Sequence, residues 1–345
     1  MSWRQILRKR YEHCAGSMDV IGAKPWPVSH VVKKAHVEIT LNANGIFRRA
    51  RTLSRTEAPT LIPATESSAG RTSGMAPHPL CEELSYCAAD LPDRNGERHR
   101  EYVKQLKDWC LSPFAHPKAL TVLKYIKAGT LWSDLRREQI LPITVEDFHG
   151  KKTRVSDEKV FVRWRVEHVG DPCTGTWEDD TLIEAWTSFD RSLNSRPGFC
   201  MATGELQRIC QNHPRFIRSS DDGAKLISAN DFSGYTFRGR FTDEKDDYEK
   251  QVCSVGFEVS QKAHNALRWL IARQGSHGDQ VVVSWAVAGK PIPDPFANTL
   301  KLFEIAGASD TESMSTDTAQ AFALRLNKAI AGYRTKLDPT DDIVV

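Results

Sequence analysis

Apolar residues recur along the chain at two spacings, three-to-four and two, and the alternation between them predicts helices and strands in mixed order. Over 2–11, Trp3, Ile6, Leu7 and Tyr11 share one helical stripe while Arg4, Arg8 and Lys9 hold the other face. The same spacing places Tyr102, Leu106 and Trp109 in line over 97–111, and Leu120, Leu123 and Ile126 over 117–127. Pro117 suits a first helical turn, so these two segments read as a helical hairpin. Further helices are predicted over 179–193 (Leu182, Ile183, Trp186, Phe189), 259–273 (Val259, Ala263, Ala266, Leu267, Leu270, Ile271) and 316–333 (Phe322, Leu326, Ile330).

Period-two alternation over 36–41 and 46–53, split by Asn42-Ala-Asn-Gly45, predicts a β-hairpin. The clearest strand is 159–168, where Val160, Val162, Trp164 and Val166 face one way and Arg163, Arg165 and Glu167 the other. One face is expected to meet the core and the other water or a polyanion. Residues 280–287 read as a buried strand, and 56–79, rich in Pro, Ser, Thr and Gly, as one long loop. No steady βαβ rhythm appears, so the expected class is α+β, with mixed, mainly antiparallel strands, packed helices and long irregular loops. The expected divisions are a basic hairpin and loop region at 1–95, an α+β body at 96–290, and a linker leading into a helical region at 291–345.

Composition changes this picture little until charge is followed along the chain. A length of 345 residues allows about two domains. Eight scattered Cys with no Cys-x-x-Cys pair, no secretory apolar stretch and no 18-residue apolar run point to reduced thiols in a cytoplasmic, membrane-free protein. The 47 Lys plus Arg against 44 Asp plus Glu give a net charge of only +3. That value hides segregation, because residues 1–55 hold eleven basic side chains against Glu12, Asp19 and Glu38, whereas 243–249 is an acidic insert.

Phosphate backbones attract basic faces through counterion release. The hairpin carries Arg48, Arg49, Arg51 and, just beyond, Arg55; the loop that follows adds Arg71, Thr72 and Ser73 as donors in backbone slim enough to approach a groove. Lys151, Lys152 and Arg154, with outward Arg163 and Arg165, extend the track. A third stretch, Arg215, Arg218, Lys225, Asn230, Arg238 and Arg240, is interleaved with Phe216, Phe232, Tyr235, Phe237 and Phe241, a mixture suited to clamping single-stranded nucleic acid. The plainer alternative for each stretch is a solvated strand face or a loop held by its own aromatics.

Catalytic chemistry finds weaker footing. Cys200, Cys210, Asn212 and His213 raise a metal-dependent nuclease as the alternative function, but Cys-x9-Cys-x2-His lacks a paired knuckle and a fourth ligand. His213 before Pro214 reads more simply as a polar group holding a turn. No Gly-rich phosphate loop stands at a strand-to-helix junction, no nucleophile elbow is present, and Asp179-Asp180 reads as helix-capping charge. No cofactor or metal is expected.

An ordered series of motifs carries more weight than any of these pieces. Cys200-Met-Ala-Thr-Gly-Glu205, Asn212-His-Pro-Arg-Phe-Ile217, Ala224-Lys-Leu-Ile-Ser-Ala-Asn230 with Phe232 and Tyr235, Val259-Ser260 with Ala263 and Ala266-Leu-Arg-Trp-Leu270, and Val281-Val-Val-Ser-Trp-Ala286 follow one another. Together with the first helix, the hairpin and Arg71-Thr-Ser-Gly-Met-Ala-Pro77, the series resembles, over roughly 1–290, the large subunit of the type I-C CRISPR surveillance complex, Cascade. The resemblance implies a non-catalytic subunit beside the one capping the guide RNA. Such a subunit inspects duplex DNA for the protospacer-adjacent motif, separates the strands, guides the displaced strand as the R-loop forms, and helps dock a helicase-nuclease in antiviral defence. Implied partners are target duplex DNA and its displaced strand, guide RNA, the backbone, guide-capping and small subunits, and the helicase-nuclease. Members of the family continue into a C-terminal helical domain, so the resemblance also implies that these 345 residues are the front part of a longer protein.

Overall fold

The computed structural model describes residues 3–16, 24–71, 74–92, 96–146, 150, 152–193, 197–218, 223, 225–227 and 254–274, with 281, 283, 285–286 and 343–344 further on. The expected helix at 316–333, the acidic insert at 243–249 and half of the strand at 280–287 lie outside them. Contacts group the chain into two units, Pro27–Arg196 and Met1–Trp26 together with Pro197–Val345. The cuts anticipated from composition lay at 95/96 and 290/291.

In the first unit the hairpin forms as its alternation requires. Strands β2 (Val37–Asn42) and β3 (Phe47–Thr52) pair antiparallel, and β7 (Val162–Glu167) adds parallel to β2, giving the order β3-β2-β7. Val37, Ile39, Leu41, Val162, Trp164 and Val166 all reach 0% exposure on the inner face. Against them lie α4 (Gly96–Cys110), α5 (Pro117–Ala128) and α7 (Asp180–Ser192), whose Trp109, Val122, Tyr125 and Trp186 join the same apolar cluster. Trp109 meets Trp186 edge-on at 5.1 Å, and Tyr125 meets Trp164 at 5.9 Å. Buried indoles need an acceptor: the Trp164 and Trp186 Nε1–H groups donate to the Leu80 and Ser29 carbonyls at 2.8 and 3.0 Å.

Local chemistry ends these elements where the residues dictate. Asp179 caps α7 by accepting from the Thr181 and Leu182 amides, as its position before the helix predicts. Pro117 opens α5 and left-handed Gly129 closes it. Gly45 turns the hairpin at φ +74°, and a Cβ there would stand 3.0 Å from the Thr121 carbonyl of α5, so conformation and close approach both call for glycine.

The segment 56–79 departs from the expected single loop. It contains β4 (Pro59–Pro63), paired antiparallel with β1 (His30–Lys34), and the short α2 (Glu66–Ala69), capped reciprocally by Thr65 and Ser68. Proline misled the reading. In a two-stranded ladder every strand is an edge, so Pro59 and Pro63 at the ends of β4 forfeit no obligatory bond, while Thr60 and Ile62 between them are fully buried. Short α3 (Leu84–Cys87), α6 (Leu131–Arg137) and the antiparallel pair β5 (Thr144–Glu146) and β6 (Lys152–Arg154) complete the unit.

In the second unit α1 (Trp3–Gly16) packs on α8 (Phe257–Gln274) through Leu7 and Tyr11 against Ala263, Ala266, Trp269 and Leu270. Lys262 reaches Glu12 at 3.2 Å across that seam. A small antiparallel pair, β8 (Pro197–Phe199) and β9 (Leu206–Arg208), lies beside a satellite cluster of Cys200, Ala202, Ile209, Val255 and Val259. Strands β10 (Trp285–Ala286) and β11 (Ile343–Val344) also pair antiparallel. The fold is mixed α+β with small, mostly antiparallel sheets, as expected. Among the described residues no helix is long and apolar enough to cross a membrane.

Candidate nucleic-acid interface

The outer face of the β3-β2-β7 sheet gathers the arginines of both neighbouring strands around one carboxylate. Register places Glu38 of β2 opposite Arg51 of β3 and Arg163 of β7, and Thr40 opposite Arg49 and Arg165. Glu38, 4% exposed, accepts from Arg51 at 3.1 Å, from Arg163 at 2.7 Å and from Arg165 at 3.2 Å. Burial alone pushes this carboxyl up, but the hydrogen bonds from Arg51, Arg163 and Arg165 outweigh it and hold it below its ordinary value. Trp177 stacks on the Arg163 guanidinium at 3.8 Å and on Arg165 at 5.1 Å.

This arrangement corrects the expectation for β7. Arg163 does not face water; it is 4% exposed and also donates to the Glu57 carbonyl and the Thr60 hydroxyl. The alternation holds, but β4 and the turn before it cover the polar face at Arg163. Arg51 is held by Glu57 at 2.7 Å as well as by Glu38, and Arg49 by Glu167 at 2.9 Å, though both stay substantially exposed. Arg48 differs from its neighbours. A register shift between Thr40 and Leu41 leaves it outside the regular pairing, exposed on the edge strand, without a hydrogen bond or ion pair to any described residue. Arg55 lies exposed in the turn that follows.

Arg71 is likewise a structural group. Its fork grips Glu82 at 2.7 and 2.9 Å, one of its nitrogens also reaches the Ala76 carbonyl, and its plane lies 4.7 Å from the Tyr86 ring. Glu82 is fully buried: burial pushes its carboxyl up, while the Arg71 fork and the His78 amide hold it down. Tyr86 in turn donates to the Gly74 carbonyl. Both described ends of the 71–77 loop are therefore pinned from below; Thr72 and Ser73 lie outside the described residues.

The other expected residues fall apart spatially. Lys152 and Arg154 stand exposed on β6, their side chains with no hydrogen bond or ion pair to a described residue, and Lys151 lies outside the described residues. In the second unit Arg215 donates to the Gly223 carbonyl and its own carbonyl accepts from Arg268. Arg218 is exposed. Lys225 is held below its ordinary value by burial and by Arg215, and Asn230, Arg238 and Arg240 lie outside the described residues. Sequence reasoning missed a cavity beside the 71–77 loop, lined by Lys33, Arg98 and Lys159 among others, because those residues come from three distant segments.

The Cys200, Cys210 and His213 set does not assemble into a ligand cage. Cys200 Sγ accepts from the Gly256 amide at 3.1 Å, and His213 is buried with Nδ1 2.7 Å from the Ser260 hydroxyl. Among the described residues no three His, Cys, Asp or Glu side chains are grouped to hold a metal.

These observations define a mixed α+β protein with arginine-rich strand and loop surfaces, some self-neutralised and some open. A family model described as CRISPR-associated protein (Cas_Csd1) matches residues 7–345, and the chain belongs to that family. It is the large subunit of type I-C Cascade, a complex of CRISPR-associated proteins and guide RNA. No curated protein matches the chain.

Proposed function

We propose that this subunit is the non-catalytic DNA inspector of its complex, a cytoplasmic protein that engages the protospacer-adjacent motif and helps part the strands. The observation that carries the reading is the edge strand β3, which offers Arg48 unpaired and Arg49 and Arg51 partly exposed within one turn of chain from Arg55. Such an array neutralises phosphates without reading bases. Motif discrimination falls to the residues after Arg71, whose ion pair with Glu82 steadies the loop rather than touching DNA. Lys151, Lys152 and Arg154 extend the backbone track, and the 215–240 stretch attends the displaced strand. Family membership supports the remaining roles: contact with guide RNA and with the backbone, guide-capping and small subunits, and recruitment of the helicase-nuclease.

The test is binding of the assembled complex to motif-bearing and motif-lacking duplexes over a salt series. Preference for the motif, with affinity falling steeply as salt rises, is expected. Equal affinity for both duplexes with a flat salt response would overturn the proposal. Plasmid cleavage by the subunit with added divalent metal, abolished by His213→Ala, would overturn its non-catalytic part.

A further inference from the structure

Beside the pinned loop lies a cavity of about 330 Å³, at the lower end of the range for small-molecule sites. Its walls bring together Lys33 of β1, Arg71, Arg98 of α4 and Lys159, against only Glu83 and Glu158. Arg71 is neutralised by Glu82 from behind, but Lys33, Arg98 and Lys159 form no ion pair among the described residues. Burial and the Arg71 charge hold the Lys33 ammonium below its ordinary value, which marks a site short of negative charge. Glu83 faces the same cations: burial and the adjacent Glu82 push its carboxyl up, while Arg71, Arg98 and Lys159 pull it down.

The deep wall has unspent hydrogen-bonding capacity. His78 is 1% exposed and Ser85 5% exposed; both line the cavity, and neither His78 Nδ1 nor Ser85 Oγ has a partner among the described residues. Arg98 Nε is a third buried polar atom without one among the described residues. Buried polar atoms left unmatched are costly, and three at one cavity signal a ligand that completes them. The Ser85 hydroxyl and Arg98 Nε–H can donate, as can His78 in the tautomer with its proton on Nδ1. Unmatched donors at one cavity where cations outnumber carboxylates suit a compact oxyanion.

We propose that this cavity binds a phosphate group, with room for part of the nucleotide that carries it. Lys33, Arg98 and Lys159 supply the charge, Ser85 and His78 the buried hydrogen bonds, and Tyr86 and Phe161 an apolar wall. The chemistry stands on the cavity alone; that the phosphate belongs to a nucleic-acid strand rests on the DNA reading above.

Isothermal titration of the full chain with inorganic phosphate, thymidine 5′-monophosphate, a short oligothymidylate and, for comparison, glutamate tests the inference. Phosphate-bearing probes are expected to bind, about tenfold more weakly in Arg98→Gln and in Ser85→Ala, as loss of one charge-assisted hydrogen bond implies. Arg98→Lys, which keeps charge but not the fork, should fall between parent and Arg98→Gln. Ser85→Ala removes one oxygen and adds no bulk, and thermal melts without ligand confirm that each variant folds. Tighter binding of the oligonucleotide assigns the phosphate to a strand; tighter binding of the mononucleotide assigns it to a free nucleotide. No binding of any phosphate probe, equal binding of glutamate, or affinity unchanged in both Ser85→Ala and Arg98→Gln would overturn the proposal. If the complex still binds motif duplex in those cases, the cavity inference fails by itself and the interface reading stands.

Discussion

The outer face of the sheet and the cavity beside the loop are both rich in basic side chains, yet their charges are used differently. On the sheet, Arg49, Arg51, Arg163 and Arg165 meet Glu38, Glu57 and Glu167, and buried Glu38 alone accepts from three of the four. In the cavity, Lys33, Arg98 and Lys159 have no such partner among the described residues, and buried His78 and Ser85 atoms stand unmatched by those residues. A count of basic residues therefore overstates what the sheet can offer a polyanion and understates what the cavity can. Charge already paired within the protein must break a bond before it can bind elsewhere, whereas unpaired charge needs only to lose water.

The sharpest way to break the comparison is Glu38→Gln. It leaves buried Arg163 facing Arg51 and Arg165 without a counter-charge, and a loss of about 3–5 kcal/mol in urea unfolding is expected. A loss below about 1 kcal/mol would mean that the face is held by Trp177 stacking and backbone carbonyls instead.

Acid should separate the regions next. Burial holds the His78 imidazole at about 3, with Glu82 opposing and Lys33 and Arg71 adding to the effect, so it folds neutral. The unfolded chain binds more protons below the ordinary histidine value of 6.5, and stability contributed by His78 erodes as pH falls from there. By about pH 5 the loss from such a histidine is on the order of 1–2 kcal/mol. Glu38, held below 4.5, keeps its contribution above that value and loses it only as pH falls further. Hydrogen exchange on descending pH should loosen residues around the cavity before the sheet; the reverse order would count against this assignment. Buried His213 and His264 in the second unit, held at about 3 and about 4 by burial, should respond in the same window as His78.

Gly45→Ala tests how firmly the arginine hairpin is seated on α5. Its positive φ and the 3.0 Å approach to the Thr121 carbonyl predict a cost of about 1–2 kcal/mol in thermal melts. The smallest expected effect on stability, within about 0.5 kcal/mol, belongs to exposed Arg48→Ala, which breaks no bond with the described residues. The same change should weaken duplex binding across sequences and reduce the salt slope by about 1. Arg163→Ala should do the opposite, costing stability far more than DNA affinity measured on the folded fraction.

Much of the architecture was legible because it is local. Stripes of Leu and Trp three or four apart marked α1, α4, α5, α7 and α8; alternation marked β2, β3 and β7; Asp179 announced the start of α7. Elements without a period of their own were missed. Strand β4, bounded by prolines, is ordered by pairing with β1, and the parallel union of β2 with β7 joins residues 125 positions apart, Val37 with Val162. The basic residues were visible one by one, but whether each faced water, a carboxylate or a cavity depended on segments far away in the chain.

By itself, then, the sequence determined the class of fold, the faces of its strong helices and strands, and, through an ordered series of motifs, the family to which the chain belongs. Periodicity is a property of a segment and its solvent, so it survives without the rest of the molecule. Which arginines remain available was decided only by tertiary structure. Arg163 and Arg71 look as free as Arg48 in the sequence, but Glu38 and Glu82 reach them across strands and loops, and a charge's availability depends on what folding brings within a few ångströms of it.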